Sequence, residues 1–158
     1  MFEIATGGVR TEVYMELIRI AKRPALSTDP NATVREVCQR LAEEKVGALA
    51  VVHQEKLVGI ISERDIVVRV VARGRDPQTT PVSEVMTTAV KTVQENTSSR
   101  QALELMHEGR FRHLPLVDDA GQVLGMLSVR DLLRDRIGEL DQENEGLMSF
   151  ISADGPDG

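Results

Sequence analysis

Apolar residues along the chain switch between helical and strand spacing, and the switches come in the same order twice. Val9, Val13 and Leu17, with Tyr14, Ile18 and Ala21, recur at three- and four-residue intervals and predict a helix. Gly7-Gly8 marks its frayed start, and Pro24 ends or redirects it. Ala25-Leu26-Ser27 reads as a short strand before the turn Thr28-Asp29-Pro30-Asn31. From Thr33, a candidate N-cap with Glu36 three residues on, Val34, Val37, Cys38 and Leu41 share one face of a helix ending near Lys45. Gly47 to Val52 and Lys56 to Ile61 are β-rich apolar runs around the polar turn His53-Gln54-Glu55, which predicts a strand pair. Ser62 then caps a helix whose apolar face is Ile66, Val67, Val70 and Val71, with Gly74 placed for a C-terminal glycine cap. The order is β-α-β-β-α.

That order returns. Val90 to Val93 is a strand, Ser98 to His107 a helix, His113 to Val117 and Val123 to Leu127 a strand pair, and Leu132 onward a last helix. The most explicit repeat is Gly59-Ile60-Ile61-Ser62-Glu63-Arg64-Asp65 against Gly125-Met126-Leu127-Ser128-Val129-Arg130-Asp131, 66 residues apart. Upstream, Thr33 to Val52 aligns with Ser98 to Val117 at an offset of 65, the extra residue falling in the turn Asp118-Asp119-Ala120-Gly121. A unit of this size buries too little of its own surface, so the two copies are expected to share a core. The expected organisation is an N-terminal helical extension (1–19), a first repeat (20–76), a proline-containing linker (77–81), a second repeat (82–138), and a helix extension with a disordered tail (139–158). In that last segment Leu147, Met148, Phe150 and Ile151 offer apolar surface to a partner.

The repeated Ser-x-x-Asp is, on its own, a capping box, with a carboxylate one methylene shorter than the usual Glu. Two copies, each following a glycine and an apolar pair at a strand end, add a second reading. Glycine lets a ligand or another backbone approach closely. A helix start offers free amides, and a carboxylate there can accept from both hydroxyls of a vicinal diol such as ribose. Cap and pocket are compatible.

Composition narrows the function. The chain has 158 residues, 41% hydrophobic and 28% charged, with a net charge of −6 and both signs interspersed, which argues against a duplex nucleic-acid binder. Cys38 is the sole cysteine, so no intrachain disulfide and no multi-cysteine metal site is expected, and a reducing compartment is the simplest setting. The longest apolar stretch, Val46 to Val52, is far short of a membrane span, and a cytoplasmic location is expected. No recognisable catalytic motif is present. His53 and His107 read as solvated, Cys38 as a buried inert thiol and the methionines as core filler.

The repeat period, the β-α-β-β-α order, the two Gly-apolar-apolar-Ser-x-x-Asp segments, Val82-Ser83-Glu84-Val85-Met86-Thr87 and Arg112-His113-Leu114-Pro115-Leu116-Val117-Asp118 together resemble a tandem pair of CBS domains, a Bateman module, over about residues 20 to 138. The resemblance implies an α/β (α+β) fold of two pseudo-symmetric repeats packed through their sheets around two ligand clefts. It implies a regulatory sensor, not an enzyme, that binds adenine nucleotide, AMP first and also ADP or ATP, without a metal, and signals to a regulated partner, usually as a homodimer. By position, Asp65 and Asp131 would hold ribose hydroxyls, with Ser62 and Ser128 close to ribose or phosphate. Ile60, Ile61, Met126 and Leu127 would flank adenine, and Arg112, His113, Arg64 and Arg130 would meet phosphate, arginine through its bidentate fork. Because Arg112-His113 aligns with Gly47-Ala48, one cleft is expected to prefer a phosphorylated nucleotide and the other to be weaker, differently selective or empty. Alternatives are a module for NAD(H) or S-adenosylmethionine, or a ligand-free dimeric scaffold.

Overall fold

The computed structural model describes the backbone of residues 17–153 and the side chains of residues 17–149. Val9, Val13 and Tyr14 of the expected first helix, the side chains of Phe150 and Ile151, and the tail from residue 154 lie outside the described residues. Residues 17–20 are helical. There follow β1 (Ser27–Thr28), α1 (Val34–Glu44), β2 (Ala48–His53), β3 (Lys56–Ser62) and α2 (Glu63–Arg69), then β4 (Val93–Gln94), α3 (Ser99–Gly109), β5 (His113–Val117), β6 (Val123–Ser128) and α4 (Val129–Ala153). The fold is mixed α+β, with two three-stranded sheets ordered β1-β2-β3 and β4-β5-β6. In each, the first pair is parallel and the second antiparallel.

Local chemistry sets the element ends. Thr33 and Ser98 cap α1 and α3 through reciprocal boxes with Glu36 and Gln101. The Thr33 amide and hydroxyl, donating to Glu36, hold its carboxyl below the ordinary carboxylate value. Lys45 and Arg110 end the same helices in the left-handed conformation. Gln54 and Glu55, both at positive φ, make the tight turn between β2 and β3. Both hairpins carry an irregularity at equivalent places, Val51/Val52 and Leu116/Val117. The second helix departs from expectation: α2 stops at Arg69, a 3₁₀ turn covers Val71–Arg73, and Gly74 caps that turn at φ +63°.

The two halves do not share one core as expected; each has its own, completed by the exchange of their leading segments. Leu17 and Ala21 sit in the core of the second half with Val93, Met106, Leu114, Leu116, Leu127 and Leu132. Val82 and Val85 sit in the core of the first, with Val34, Val37, Leu49, Ile61 and Val70. Lys22 pairs with Met126 through two backbone hydrogen bonds (2.9 and 3.1 Å), and Thr87 pairs with Ile60 in the same way (2.8 and 3.0 Å). The motif glycines permit these crossings. A Cβ on Gly59 would lie 3.0 Å from the Thr87 carbonyl, and one on Gly125 3.0 Å from the Lys22 carbonyl. The segment 77–81 lies on the start of α1, where the Arg35 amide donates to Pro77 and the Val34 amide to Thr80.

Candidate functional site

The two Ser-x-x-Asp segments stand where β3 meets α2 and where β6 meets α4. At the first junction the Asp65 amide donates to the Ser62 hydroxyl oxygen (3.3 Å), while Asp65 Oδ2 accepts from the Ser62 amide (2.9 Å) and hydroxyl (3.0 Å). Asp65 Oδ1 accepts from the Thr87 hydroxyl at 3.2 Å and lies 3.5 Å from the Arg69 guanidinium. A carboxylate has about four lone-pair positions; here three take hydrogen bonds from the chain, and Arg69, which donates to the Val85 carbonyl, adds an ion pair to Oδ1. At the second junction the Asp131 amide donates to Ser128 Oγ (3.1 Å), and the Ser128 hydroxyl donates to Asp131 Oδ2 (2.5 Å). Among the described residues nothing hydrogen-bonds to Asp131 Oδ1. The two carboxylates are equivalent in sequence but not in free acceptor capacity.

Each junction opens on a cleft. The first, about 810 Å³, has apolar walls from Ile60, Val68, Val90 and Phe111, and a polar rim from Ser62, Arg64, Asp65, Thr87 and Lys91. The second, about 710 Å³, has Ile20, Leu26, Val46, Met126 and Val129 on its walls and Lys22, Lys45, Ser128, Arg130, Asp131 and Arg134 around its polar side. Both volumes suit a drug-sized or nucleotide-sized ligand, an apolar slot with a few fixed polar groups.

Gly47, Glu63, Arg112 and His113 line both clefts. The reason is steric. A Cβ on Gly47 would lie 3.0 Å from His113 Cε1 and 3.2 Å from Nε2, so the imidazole occupies space that this glycine leaves open. Burial pushes the His113 pKa below its ordinary value of 6.5 and Arg112 pushes the same way, while Glu63 and Asp131 pull it up. The imidazole is therefore neutral at pH 7. The sequence difference between Gly47-Ala48 and Arg112-His113 is a packing arrangement, with a small pair making room for a large one. It does not confine the large pair to a single cleft.

Of the expected site residues, Ile60, Ser62, Arg64 and Asp65 line the first cleft, and Met126, Ser128, Arg130 and Asp131 the second. Ile61 and Leu127 are the correction: both are fully buried in the two cores and line neither cleft. Side chains alternate across a strand, so only one member of each apolar pair can face a cleft. Sequence reasoning missed Thr87 and Lys22, though Thr87 lies in the quoted Val82–Thr87 segment and Lys22 sits 65 residues before it, at the repeat offset. Phe111, Lys91 and Arg134 carry no comparable signal. Elsewhere, Cys38 is half-buried and burial raises its thiol pKa, while His53 is exposed 3.8 Å from Asp29. Among the described residues no cluster of His, Cys, Asp and Glu is arranged to hold a metal, and no helix is long and apolar enough to cross a membrane.

Two pseudo-symmetric repeats, exchanged leading segments and paired clefts at helix starts define a tandem-repeat architecture with two clefts. The family model for the CBS domain matches residues 17–72 and again 82–138, and the chain belongs to the CBS domain family. It is 32% identical over 116 residues to an uncharacterised protein of Methanopyrus kandleri, covering 73% of this chain and 59% of that one. The chain thus spans just over half of that relative's length. Among solved structures it is similar to the CBS domain pair of protein MJ0100 in complex with 5-methylthioadenosine and S-adenosyl-L-methionine (TM-score 0.72, 26% identity, 78% of this chain and 97% of that one). It is also similar to the CBS domain protein PAE2072 of Pyrobaculum aerophilum complexed with AMP (TM-score 0.67, 31% identity, 73% of this chain and 88% of that one).

Proposed function

We propose that this chain is a non-catalytic regulatory module that binds adenine nucleotide, AMP first, in its two clefts and passes occupancy to a partner protein by a shift between its halves. The observation that carries the reading is the pairing, in each cleft, of a Ser–Asp helix start with an apolar wall and the shared Arg112 and His113. The carboxylate would take the ribose hydroxyls and the apolar wall the base, with Arg112, His113 and the flanking Arg64 or Arg130 meeting phosphate. AMP in one similar structure and S-adenosylmethionine in another support an adenosyl ligand. The cationic rims favour a phosphorylated one.

The second cleft is the stronger site in this reading, because Asp131 has an open oxygen whereas ribose at Asp65 would compete with Thr87 and Arg69. The same observation favours a second reading for the first cleft alone, in which Asp65 serves only as helix cap and cross-brace. A homodimer completes the proposal. Val67 and Val71 after β3, and Leu133 and Ile137 at the equivalent places after β6, are all exposed and give a second copy an apolar face to cover.

Thermal unfolding of ligand-stripped protein against AMP, ADP, ATP, NAD(H), S-adenosylmethionine and GMP tests this. A ligand at 100 times its dissociation constant adds about 2.7 kcal/mol, a rise in midpoint of roughly 5 to 11 °C at this chain length. Adenine nucleotides are expected to give that rise, GMP none, and Asp131→Ala to lose more of it than Asp65→Ala. A flat response to every compound would leave the dimeric scaffold as the function.

A further inference from the structure

Helix α4 does not stop where the family match ends at residue 138. It runs on to Ala153, and every described side chain from Leu140 to Ser149 is exposed. Along it Leu133, Ile137, Leu140 and Leu147 are 47%, 60%, 48% and 62% exposed. Their spacing of four, three and seven residues is that of a heptad, with Ile137 at a, Leu133, Leu140 and Leu147 at d, and Asn144 at the remaining a position. In the sequence the next a position is Ile151.

Past its buried start at Leu132, the exposed part of α4 has little support of its own beyond the Arg136–Glu139 ion pair. Gly138 and Gly146 sit in its interior with nothing near where a Cβ would be, so they contribute flexibility and no packing. Its apolar stripe is about half exposed or more at Leu133, Ile137, Leu140 and Leu147. In proteins most helix stability comes from packing of an amphipathic face rather than from propensity, and tertiary or quaternary burial of the stripe would supply it here.

The pattern also selects the occupant. A β-branched residue at a with Leu at d favours two parallel strands, and one Asn at a fixes register and strand number. Arg136 at g, which within the helix pairs with Glu139 at 2.9 Å, and Asp141 at the following e are opposite in charge, and in a parallel pair the g side chain of one helix meets the e side chain of the other. We propose that residues 133–151 form a parallel, in-register two-stranded coiled coil with the same segment of a second copy of this chain, with Asn144 pairing across the axis. This interface does not depend on nucleotide binding; it continues, mostly beyond residue 138, the homodimer face to which Leu133 and Ile137 were assigned above, and rests on that pairing.

The test uses the full chain with Cys38→Ser, so that each added thiol is the only one. Ile137→Cys, Asn144→Cys and Leu147→Cys are each oxidised, with Gly146→Cys on the outer face as the contrast. Parallel in-register helices bring identical a and d positions within disulfide reach, so the first three are expected to link to their own copies and Gly146→Cys to stay reduced. Sedimentation of the unsubstituted chain is expected at twice the chain mass, and Asn144→Ile to mix in higher oligomers. Linking at Asn144→Cys alone, which an antiparallel crossing would give, overturns the proposal. So do equal linking at Gly146→Cys, no linking at all, or sedimentation at one chain mass.

Discussion

His113 is the residue whose protonation the fold controls most directly. Burial holds it neutral against the pull of Glu63 and Asp131, so its folded pKa lies below 6.5. The unfolded chain therefore takes up the proton first as pH falls. The stability held by the neutral ring is fully present above the ordinary value and is lost as pH drops from there toward the folded value. A phosphate brought beside the ring adds a third anion to Glu63 and Asp131 and raises the pKa, so binding near pH 6.5 draws in a proton. The expected result is that AMP binding heats differ between two buffers of unlike ionisation enthalpy, by an amount that His113→Gln reduces. The variant removes only the imidazole's share and leaves that of the phosphate. Identical buffer dependence in the two proteins would place the phosphate away from His113.

At the scale of elements, the crossing strands are the most constrained feature. On Gly59 a Cβ would lie 2.6 Å from Met86 Sδ and 3.0 Å from the Thr87 carbonyl; the sulfur can swing away, but the carbonyl belongs to the backbone that closes the fold. Gly59→Ala is expected to cost about 1–3 kcal/mol, the usual range for overpacking. Gly138→Ala, whose Cβ meets nothing, should instead gain up to about 1 kcal/mol from helix propensity. Urea midpoints moving in opposite directions would bear this out, and a neutral Gly59→Ala would mean that the strand from the other half is loosely held. The same elements show what could be read in advance. Hairpins, capping boxes and helix starts were legible because their signals lie within a few residues, as at Thr33 and Glu36 or Ser62 and Asp65. The exchange of residues 17–22 and 82–87 was not, because nothing local to Leu17 or Val82 says which core receives it. Ile61 and Leu127 were misplaced although strand alternation already forbade both members of each pair from facing a cleft. The early end of α2 follows a run of Val67, Val68, Val70 and Val71, whose β-branched side chains weaken a helix.

For the molecule as a whole, the decisive fact is that the two clefts are not separate. Arg112, His113, Gly47 and Glu63 belong to the walls of both, so two bound phosphates would compete for one pair of cationic or proton-accepting groups and repel across it. Such coupling commonly amounts to 1–3 kcal/mol, about 5- to 150-fold in affinity. A second AMP should therefore bind about 5- to 150-fold more weakly than the first. Unequal clefts alone would also give two affinities, since both carboxylate oxygens of Asp65 have partners within the chain and only one of Asp131 does. The two causes separate when the second cleft is disabled. In Asp131→Ala the first cleft faces no phosphate across Arg112 and His113, and calorimetry should find its AMP affinity higher than that of the weak step in the unsubstituted protein. Adenosine offers the complementary comparison: it lacks the phosphate, so its two steps should lie closer together than those of AMP, and Asp131→Ala should leave its weak step where it was. If the weak AMP step also stays unchanged in Asp131→Ala, the clefts act independently and the shared wall is only packing. A tightened step would mean that filling one cleft is felt in the other through the shared Arg112 and His113, a coupling free energy between the two sites.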